Sequence, residues 1–210
     1  MPSLLTFEAA VERLRAAFAE PLPGFTAQTR LAPQPRREWP ADFKPARVRH
    51  AAGLLLLFPI ADRPYVVLTV RADHLGRHGG QVSLPGGAME PGETVEQAAL
   101  REAFEEVGFA SRAVQVLGDL TPLDIPVSGF RLHPVVAAVG ARPRLYAADG
   151  EVARILEIPV GELAAPHALT SVDRVRDGRA MTIPLFRVAG QEIWGATAMV
   201  LAEFLALLGW

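Results

Sequence analysis

Residues 87–109 read GAMEPGETVEQAALREAFEEVGF, and the fold expected of the whole chain follows from this stretch. Residues 93–107 are good helix formers, and Gly108 comes directly after them. Glycine is the residue best suited to the left-handed conformation that often ends a helix. The stretch therefore predicts a loop followed by a helix that ends at residue 107.

Glu102, Glu105 and Glu106 would share one face of that helix, because residues three and four positions apart are neighbours on a helix surface. Solvated acidic faces usually interleave lysine or arginine, and here Arg101 is the cation close by. Such glutamates, taken alone, are most often a solvated face, but their mutual repulsion favours a bound hard cation such as Mg²⁺. The opposite, sheet-packing side is expected to carry apolar residues, namely Leu100, Ala103, Phe104 and Val107.

The composition is that of an ordinary globular domain: 210 residues, of which 50% are hydrophobic and 21% are charged. The chain contains no cysteine, which excludes disulfides and cysteine-bound metal centres and fits a reducing compartment. The formal net charge is −2 without a long basic run, so the charge pattern of a protein that binds nucleic acid or an anionic membrane is missing. The N-terminus lacks the pattern of a signal peptide, and residues 51–61, the longest apolar stretch, are too short to span a bilayer. We therefore expect a cytoplasmic protein.

The chain is expected to have two regions. Residues 1–46 read as an amphipathic helix followed by an extended, proline-rich arm, and residues 47–210 read as the main domain with a C-terminal helix. Apolar runs at 51–59 and 65–71 flank a turn and predict a strand pair. The other strand-like runs are 113–120, 130–139, 152–158 and 181–188, and the last helix is 196–208. Strands and helices mixed in this way predict an α/β sandwich with a mixed sheet.

The stretch quoted above resembles the Nudix box. The box specifies glycine, five residues, glutamate, seven residues, and then Arg-Glu-apolar-any-Glu-Glu-any-Gly-apolar. Every specified position is occupied, by Gly87, Glu93, Arg101, Glu102, Ala103, Glu105, Glu106, Gly108 and Phe109. With each residue type at roughly 6% of a chain, chance would give such a match on the order of 10⁻⁷ of the time. The resemblance implies hydrolysis of a nucleoside diphosphate joined to another moiety, on an α/β/α sandwich that uses Mg²⁺ or Mn²⁺.

The same resemblance implies a metal site. Glu102, Glu105 and Glu106 are suited to hold the ions, and the carbonyl of Gly87 is a plausible further oxygen ligand. Gly86 and Gly87 would serve either a tight turn or a close approach of the backbone to phosphate.

The remaining catalytic assignments leave alternatives. Arg101 is expected to fix the helix and the preceding loop by an ion pair with Glu93, in preference to touching the substrate. The general base is either Glu151, which stands where related enzymes place a loop carboxylate, or Glu105 or Glu106 acting while it also binds metal. The alternative is that Glu151 is simply a solvent-exposed loop residue without a catalytic role.

Upstream of the box, residues 68–87 read LTVRADHLGRHGGQVSLPGG and resemble a second signature, that of the coenzyme A pyrophosphatase branch. The sequence departs from it at Gly76, where a basic residue is usual, and at Leu84, where phenylalanine is usual. Further resemblance to that branch lies in residues 128–136 and 193–198. The resemblance implies coenzyme A or a close relative as the substrate.

Arg71 and Arg77 are the candidates for gripping the phosphates of that substrate, because a guanidinium binds phosphate oxygens in a bidentate way. The alternative is that either one pairs with Asp73 or another surface carboxylate. The histidines lack the helical spacing of a zinc site, so ordinary hydrogen bonding is expected of His74, His78 and His133.

Two other functions remain open. The first is an ADP-ribose or other dinucleoside pyrophosphatase, which would hydrolyse the same diphosphate linkage in a substrate with a different leaving group. A catalytically silent domain that senses a nucleotide or scaffolds a partner belongs to a different class, and the complete glutamate set argues against it. The apolar terminal helices, the proline-rich arm and the family resemblance lead us to expect a homodimer.

Overall fold

The computed structural model describes residues 5–72, 79–110, 112–148, 150–176 and 178–210. Within these ranges the helices are α1 (Phe7–Phe18), α2 (Gly24–Gln28), α3 (Val95–Val107), α4 (Val160–Leu163) and α5 (Ala196–Leu207). The strands are β1 (Arg49–Ile60), β2 (Arg63–Arg71), β3 (Val82–Ser83), β4 (Gly86–Ala88), β5 (Gln115–Asp119), β6 (Leu123–Ile125), β7 (Phe130–Ala138), β8 (Val152–Pro159), β9 (Leu169–Arg176), β10 (Arg179–Val188) and β11 (Gln191–Trp194). Short turns of 3₁₀ helix occur at Thr29–Leu31, Pro45–Arg47 and Pro166–Ala168.

Strand β1 is the centre of a mixed sheet. It pairs antiparallel with β2 and β4 and parallel with β7. Strands β3 and β8 extend the sheet from β2, and β5 and β6 extend it from β7. Residues 54–58 of β1 are all buried, as in a strand that is covered on both faces. Strands β9, β10 and β11 form a separate antiparallel sheet.

The mixed sheet lies between two layers of helices, because successive side chains of a strand face opposite sides. Leu54 of β1 packs in one apolar cluster with Ala103 of α3. Its neighbour Leu55 packs in a second cluster with Leu14 of α1 and Phe204 of α5. The predicted α/β/α sandwich with a mixed sheet and with N-terminal and C-terminal helices is therefore confirmed.

The turn predicted at residues 61–64 is present in a tighter form. Ala61 and Asp62 alone connect β1 to β2, and both have positive φ angles, 48° and 63°. Positive φ at both central residues is typical of the two-residue turns that match the twist of a β-hairpin. Arg63 and Pro64 already belong to β2.

The proline-rich arm is more regular than the sequence predicted. We expected an extended segment, but it contains α2 and a turn of 3₁₀ helix. Gln28, at the end of α2, is fully buried, and its side chain donates a hydrogen bond of 2.8 Å to the carboxyl group of Glu203 on α5. Gln34 exchanges two backbone hydrogen bonds, each of 2.9 Å, with Thr182 of β10. These tertiary contacts stabilise a helix that is too short to be stable by itself.

Candidate functional site

Helix α3 carries the glutamates of the box, and both of its ends are capped as its sequence dictates. Thr94 accepts a hydrogen bond from the backbone N–H of Gln97, whose side chain accepts one from the backbone N–H of Thr94. Gly108 ends the helix with φ 65° and ψ 17°, which confirms the predicted left-handed cap. A side chain at Gly108 would also meet the ring of Tyr146, since a Cβ there would lie 2.4 Å from it.

The rotation of α3 about its axis differs from the prediction in one respect. Ala103 and Val107 are buried against the sheet as expected, but Phe104 is 54% exposed. Glu106, expected on the solvent side, is 5% exposed and belongs to the packed side. Residues two positions apart lie about 200° apart around a helix, so burial of Glu106 turns Phe104 outward. The prediction for these two side chains was wrong, because helical spacing gives the relative angles and not the direction of the sheet.

Strand β4 brings Gly86 and Gly87 close to both β1 and α3. The backbone N–H of Gly86 donates a hydrogen bond of 3.0 Å to Oε2 of Glu106. A Cβ at Gly86 would lie 2.3 Å from the carbonyl oxygen of Ala52, and a Cβ at Gly87 would lie 2.5 Å from Oε2 of Glu102. Both positions therefore need glycine, because a side chain at either one would collide with neighbouring protein atoms.

Arg101 ties the loop before α3 to the helix itself. Its guanidinium donates two hydrogen bonds, of 2.7 and 3.0 Å, to the carboxylate of Glu93, and another of 3.0 Å to the carbonyl of Ala88. The same side chain reaches Glu102 at 2.9 Å and Glu105 at 3.1 Å. These contacts match the expected ion pair between Arg101 and Glu93. The hydrogen bond from Arg101 also lowers the pKa of Glu93 below its ordinary value.

The glutamates on α3 differ in their surroundings. The side chain of Glu105 is 51% exposed and that of Glu102 is 15% exposed. Partial burial raises the pKa of Glu102, although the neighbouring Arg101 opposes that shift. A carboxylate that has lost part of its hydration gains more from a cation than an exposed one does.

The oxygen donors of this region fit a hard divalent cation. Glu102, Glu105, Glu106 and the carbonyl of Gly87 offer only oxygen, as Mg²⁺ and Mn²⁺ prefer, and the absent side chain of Gly87 lets the carboxylate of Glu102 lie directly against the Gly87 backbone. Within the described residues, no group of three His, Cys, Asp or Glu side chains is already arranged around one point to hold a metal ion. Arg101 binds one carboxylate oxygen of Glu102 and one of Glu105.

Arg71 connects three elements of the site. Its Nη2 lies 3.1 Å from Oε2 of Glu151, and its Nη1 lies 3.9 Å from Oε1 of Glu106. The backbone carbonyl of Glu151 accepts a hydrogen bond of 2.7 Å from Ala72, so the start of β8 is fixed against the end of β2. The structure thus brings together Arg71, Glu106 and Glu151, which are far apart in sequence. Arg77 lies outside the described residues.

Arg71 also lines a pocket with a volume of about 410 Å³. The proline-rich arm lines the pocket with Arg36 and Arg37, which were not among the residues predicted from the sequence to form the site. Apolar residues of β10, β11 and α5 also line the pocket, including Met181 and Trp194. Two adjacent arginines within a proline-rich segment were the only signal in the sequence, and that signal does not locate a pocket.

His133 makes the ordinary hydrogen bond that was expected of it. Its Nε2 lies 2.8 Å from Nδ1 of His50, so one ring donates and the other accepts. Burial, followed by the charge of His50, lowers the pKa of His133. His74 and His78 lie outside the described residues.

None of the helices in the described ranges combines the length and the apolarity needed to cross a bilayer.

Comparison with known proteins identifies the family. The model of the NUDIX domain matches residues 48–176, a range that contains Arg71, the glutamates of α3 and Glu151. The protein named uncharacterized Nudix hydrolase NudL, from Yersinia pestis (strain Pestoides F), is 41% identical over 149 residues, which cover 70% of this chain and 74% of the relative. Its namesake from Yersinia pseudotuberculosis serotype O:1b (strain IP 31758) matches with the same identity and coverage.

Solved structures share the fold at lower identity. A Caenorhabditis elegans (C. elegans) Ap4A hydrolase in a binary complex is 17% identical with a TM-score of 0.52, over 77% of this chain and 98% of that one. A MutT/nudix family protein from Enterococcus faecalis is 20% identical with a TM-score of 0.52, over 82% of this chain and 66% of that one. At these identities the likeness concerns the fold alone.

Proposed function

This chain belongs to the Nudix hydrolases and is a pyrophosphohydrolase, and we propose that its substrate is coenzyme A or a coenzyme A derivative. Hydrolysis of the diphosphate linkage would release 3′,5′-ADP and 4′-phosphopantetheine. One observation carries the proposal. Arg71 belongs to the segment that resembles the coenzyme A branch, and it lies 3.9 Å from Glu106 of the Nudix box, so the two sequence signatures meet in one site.

The chemistry has to overcome the negative charge of the diphosphate, which repels an incoming water. A bound Mg²⁺ or Mn²⁺ supplies positive charge to the diphosphate oxygens and makes water more acidic. Glu102, Glu105 and Glu106 would hold it together with the carbonyl of Gly87. The ion pair of Arg101 with Glu93 would hold the helix and its preceding loop in a fixed relative position.

Arg71 and Glu151 have complementary tasks in this proposal. The guanidinium of Arg71 would bind a diphosphate oxygen, since it lies beside Glu106 on the catalytic helix. The carboxylate of Glu151 would take the proton of the attacking water, while the bridging P–O bond breaks and its electrons stay on the leaving phosphate. The 3.1 Å contact with Arg71 supports this role, since Arg71 also lies 3.9 Å from Glu106. Glu105 and Glu106 are the alternative bases, and Glu106 is disfavoured by its burial and its hydrogen bond from Gly86.

The test is an assay with Mg²⁺ or Mn²⁺ against coenzyme A, ADP-ribose and NADH, with the products identified by mass. We expect coenzyme A to have the highest kcat/KM and to give 3′,5′-ADP and 4′-phosphopantetheine. The Glu105→Gln variant serves as the metal-site control and should abolish most of the signal. A higher kcat/KM for ADP-ribose or NADH would overturn the substrate assignment and leave the family intact.

A further inference from the structure

The pocket that Arg71 lines, called here the arm pocket, is formed by the proline-rich arm, β3, β6, the three-stranded sheet and the start of α5. Its volume of about 410 Å³ lies within the roughly 300–1,000 Å³ that is typical of small-molecule sites. Most of the surface that lines it is apolar, with contributions from Leu123 of β6, Met181 and Ile183 of β10, Trp194 of β11 and Met199 of α5. Such a lining suits a ligand group that carries no charge.

The cations at the arm pocket already have partners within the protein. Arg71 lies 3.1 Å from Glu151. Arg36 acts electrostatically on Asp124, and Arg37 also takes part in an interaction. Because these charges are compensated within the protein, a phosphate inside the pocket would gain little from them.

The hydroxyl groups at the arm pocket donate their protons to the backbone. Ser128 donates a hydrogen bond of 3.2 Å to the carbonyl of Ile125, and Thr197 donates one of 3.0 Å to the carbonyl of Val82. A hydroxyl has a single proton and two lone pairs, so any further hydrogen bond of these groups is one that they accept. Phosphate oxygens need donors, whereas the N–H of an amide needs an acceptor. The polar part of the lining therefore also favours an uncharged amide over a phosphate.

Arg71 relates the arm pocket to the reaction, because it lines the pocket and lies 3.9 Å from Glu106 of the box. A diphosphate at the glutamates of the box would therefore have the pocket beside it, with room for one of its two substituents. The 3′-phosphoadenosine substituent carries the negative charge of a further phosphate. The pantetheine substituent is uncharged, contains amides, and ends in the sulfur to which an acyl group is attached in thioesters. The lining matches the pantetheine substituent.

Resting on the proposed function, we infer that the arm pocket binds the pantetheine arm together with an acyl group on its sulfur, so that acyl-coenzyme A thioesters are hydrolysed in preference to free coenzyme A. Water still cleaves the diphosphate linkage, and the thioester leaves intact on the 4′-phosphopantetheine product beside 3′,5′-ADP. Met181 and Met199 have unbranched, flexible side chains that can pack around acyl groups of different shapes.

The first experiment compares coenzyme A, acetyl-coenzyme A and hexanoyl-coenzyme A as substrates at saturating Mg²⁺. We expect kcat/KM for hexanoyl-coenzyme A to exceed that for coenzyme A at least about 10-fold, because each methylene that leaves water adds to binding. Acetyl-coenzyme A should lie between the two. Equal kcat/KM values for the three substrates, or a preference for free coenzyme A, would overturn the inference.

The Met181→Glu variant tests the lining itself, because it places a carboxylate among apolar side chains. We expect the preference for hexanoyl-coenzyme A to fall below about 3-fold. Ala180→Glu is the matched control and should keep the preference, since Ala180 is exposed and precedes Met181 in β10, so that it faces the other side of the sheet. A preference that survives in Met181→Glu would contradict the inference. If the melting temperature shows that Met181→Glu does not fold, Ala196→Leu takes its place, because a larger side chain there narrows the pocket.

A binding measurement separates this inference from the proposed function. Calorimetry would compare pantetheine with S-hexanoyl-pantetheine, neither of which contains a diphosphate. We expect the wild-type chain to bind S-hexanoyl-pantetheine more tightly, and Ala196→Leu to lose that preference while it binds 3′,5′-ADP as the wild type does. If the wild-type chain leaves coenzyme A uncut but shows this preference, the proposed function fails and the arm pocket assignment stands. Equal binding of the two probes by the wild-type chain, or weaker binding of 3′,5′-ADP by Ala196→Leu, would overturn the assignment whatever the activity.

Discussion

Glu105 and Glu106 are neighbours in sequence but occupy different surroundings, since the side chain of Glu105 is 51% exposed and that of Glu106 is 6% exposed. We expect Glu105→Gln or Glu106→Gln to lower turnover at saturating Mg²⁺ by at least about 10²-fold, because each change removes a negative charge from the proposed metal site. Glutamine can still accept the hydrogen bond from Gly86, so the fold should persist. Turnover measured alongside the melting temperature checks this. Near-normal turnover in both variants would refute the metal-site assignment.

Arg71 permits a test of where the diphosphate binds. Replacement by alanine removes a charge-assisted contact and should lower kcat/KM by about 10- to 150-fold, and lysine should restore only part of the loss. Because Arg71 lies beside Glu106 and Glu151, the loss should be the same for coenzyme A and for 3′-dephospho-coenzyme A. Arg63, exposed at the other end of the same strand, gives the control variant Arg63→Ala. An unchanged kcat/KM in Arg71→Ala would make Arg71 a surface charge.

Helices α2 and α5 are joined by a buried polar contact. The carboxyl group of Glu203 on α5 is fully buried and accepts hydrogen bonds from Gln28 at 2.8 Å and from the hydroxyl of Thr121 at 2.7 Å. Glu203→Ala would remove both of these hydrogen bonds, and Gln28 would keep only the one of 2.7 Å that it donates to the backbone carbonyl of Thr121. We expect it to lower the free energy of unfolding by about 2–4 kcal/mol in urea titrations. The exposed Glu162, replaced by alanine, should change it by less than about 0.5 kcal/mol, and equal effects of the two variants would contradict the role of this contact.

The whole molecule covers the apolar faces of its own terminal helices, because Leu14 of α1 and Phe204 of α5 are buried in one core. Those faces therefore no longer support the homodimer that we expect. The outer strand β9 supports it instead, since Leu169 is 49% exposed and Val175 is 76% exposed. We predict a two-fold dimer through β9, which light scattering at micromolar concentration checks. Val175→Lys should shift the wild-type dimer to monomers, and a wild-type mass near 22.6 kDa would contradict the prediction.

Local patterns were enough to predict the parts of the fold that depend on near neighbours in the chain. Helix α3 followed from its composition and from Gly108, and the buried strand β1 followed from an unbroken apolar run. The runs at 113–120, 130–139, 152–158 and 181–188 correspond to β5, β7, β8 and β10. The strands that were missed are β3, β4, β6, β9 and β11, which are short or lack a clear apolar alternation.

The family, the spacing of the glutamates and the helix that carries them could all be predicted from the sequence, because these depend on residues within a few turns of one another. The tertiary structure buries Glu106, since the direction of the sheet fixes how α3 is rotated. It also decided that Arg71 meets Glu151, 80 residues away, because that contact requires β2 and β8 to be adjacent. The placement of Arg36 beside the site depends in the same way on the docking of the arm against β10, which no local pattern encodes.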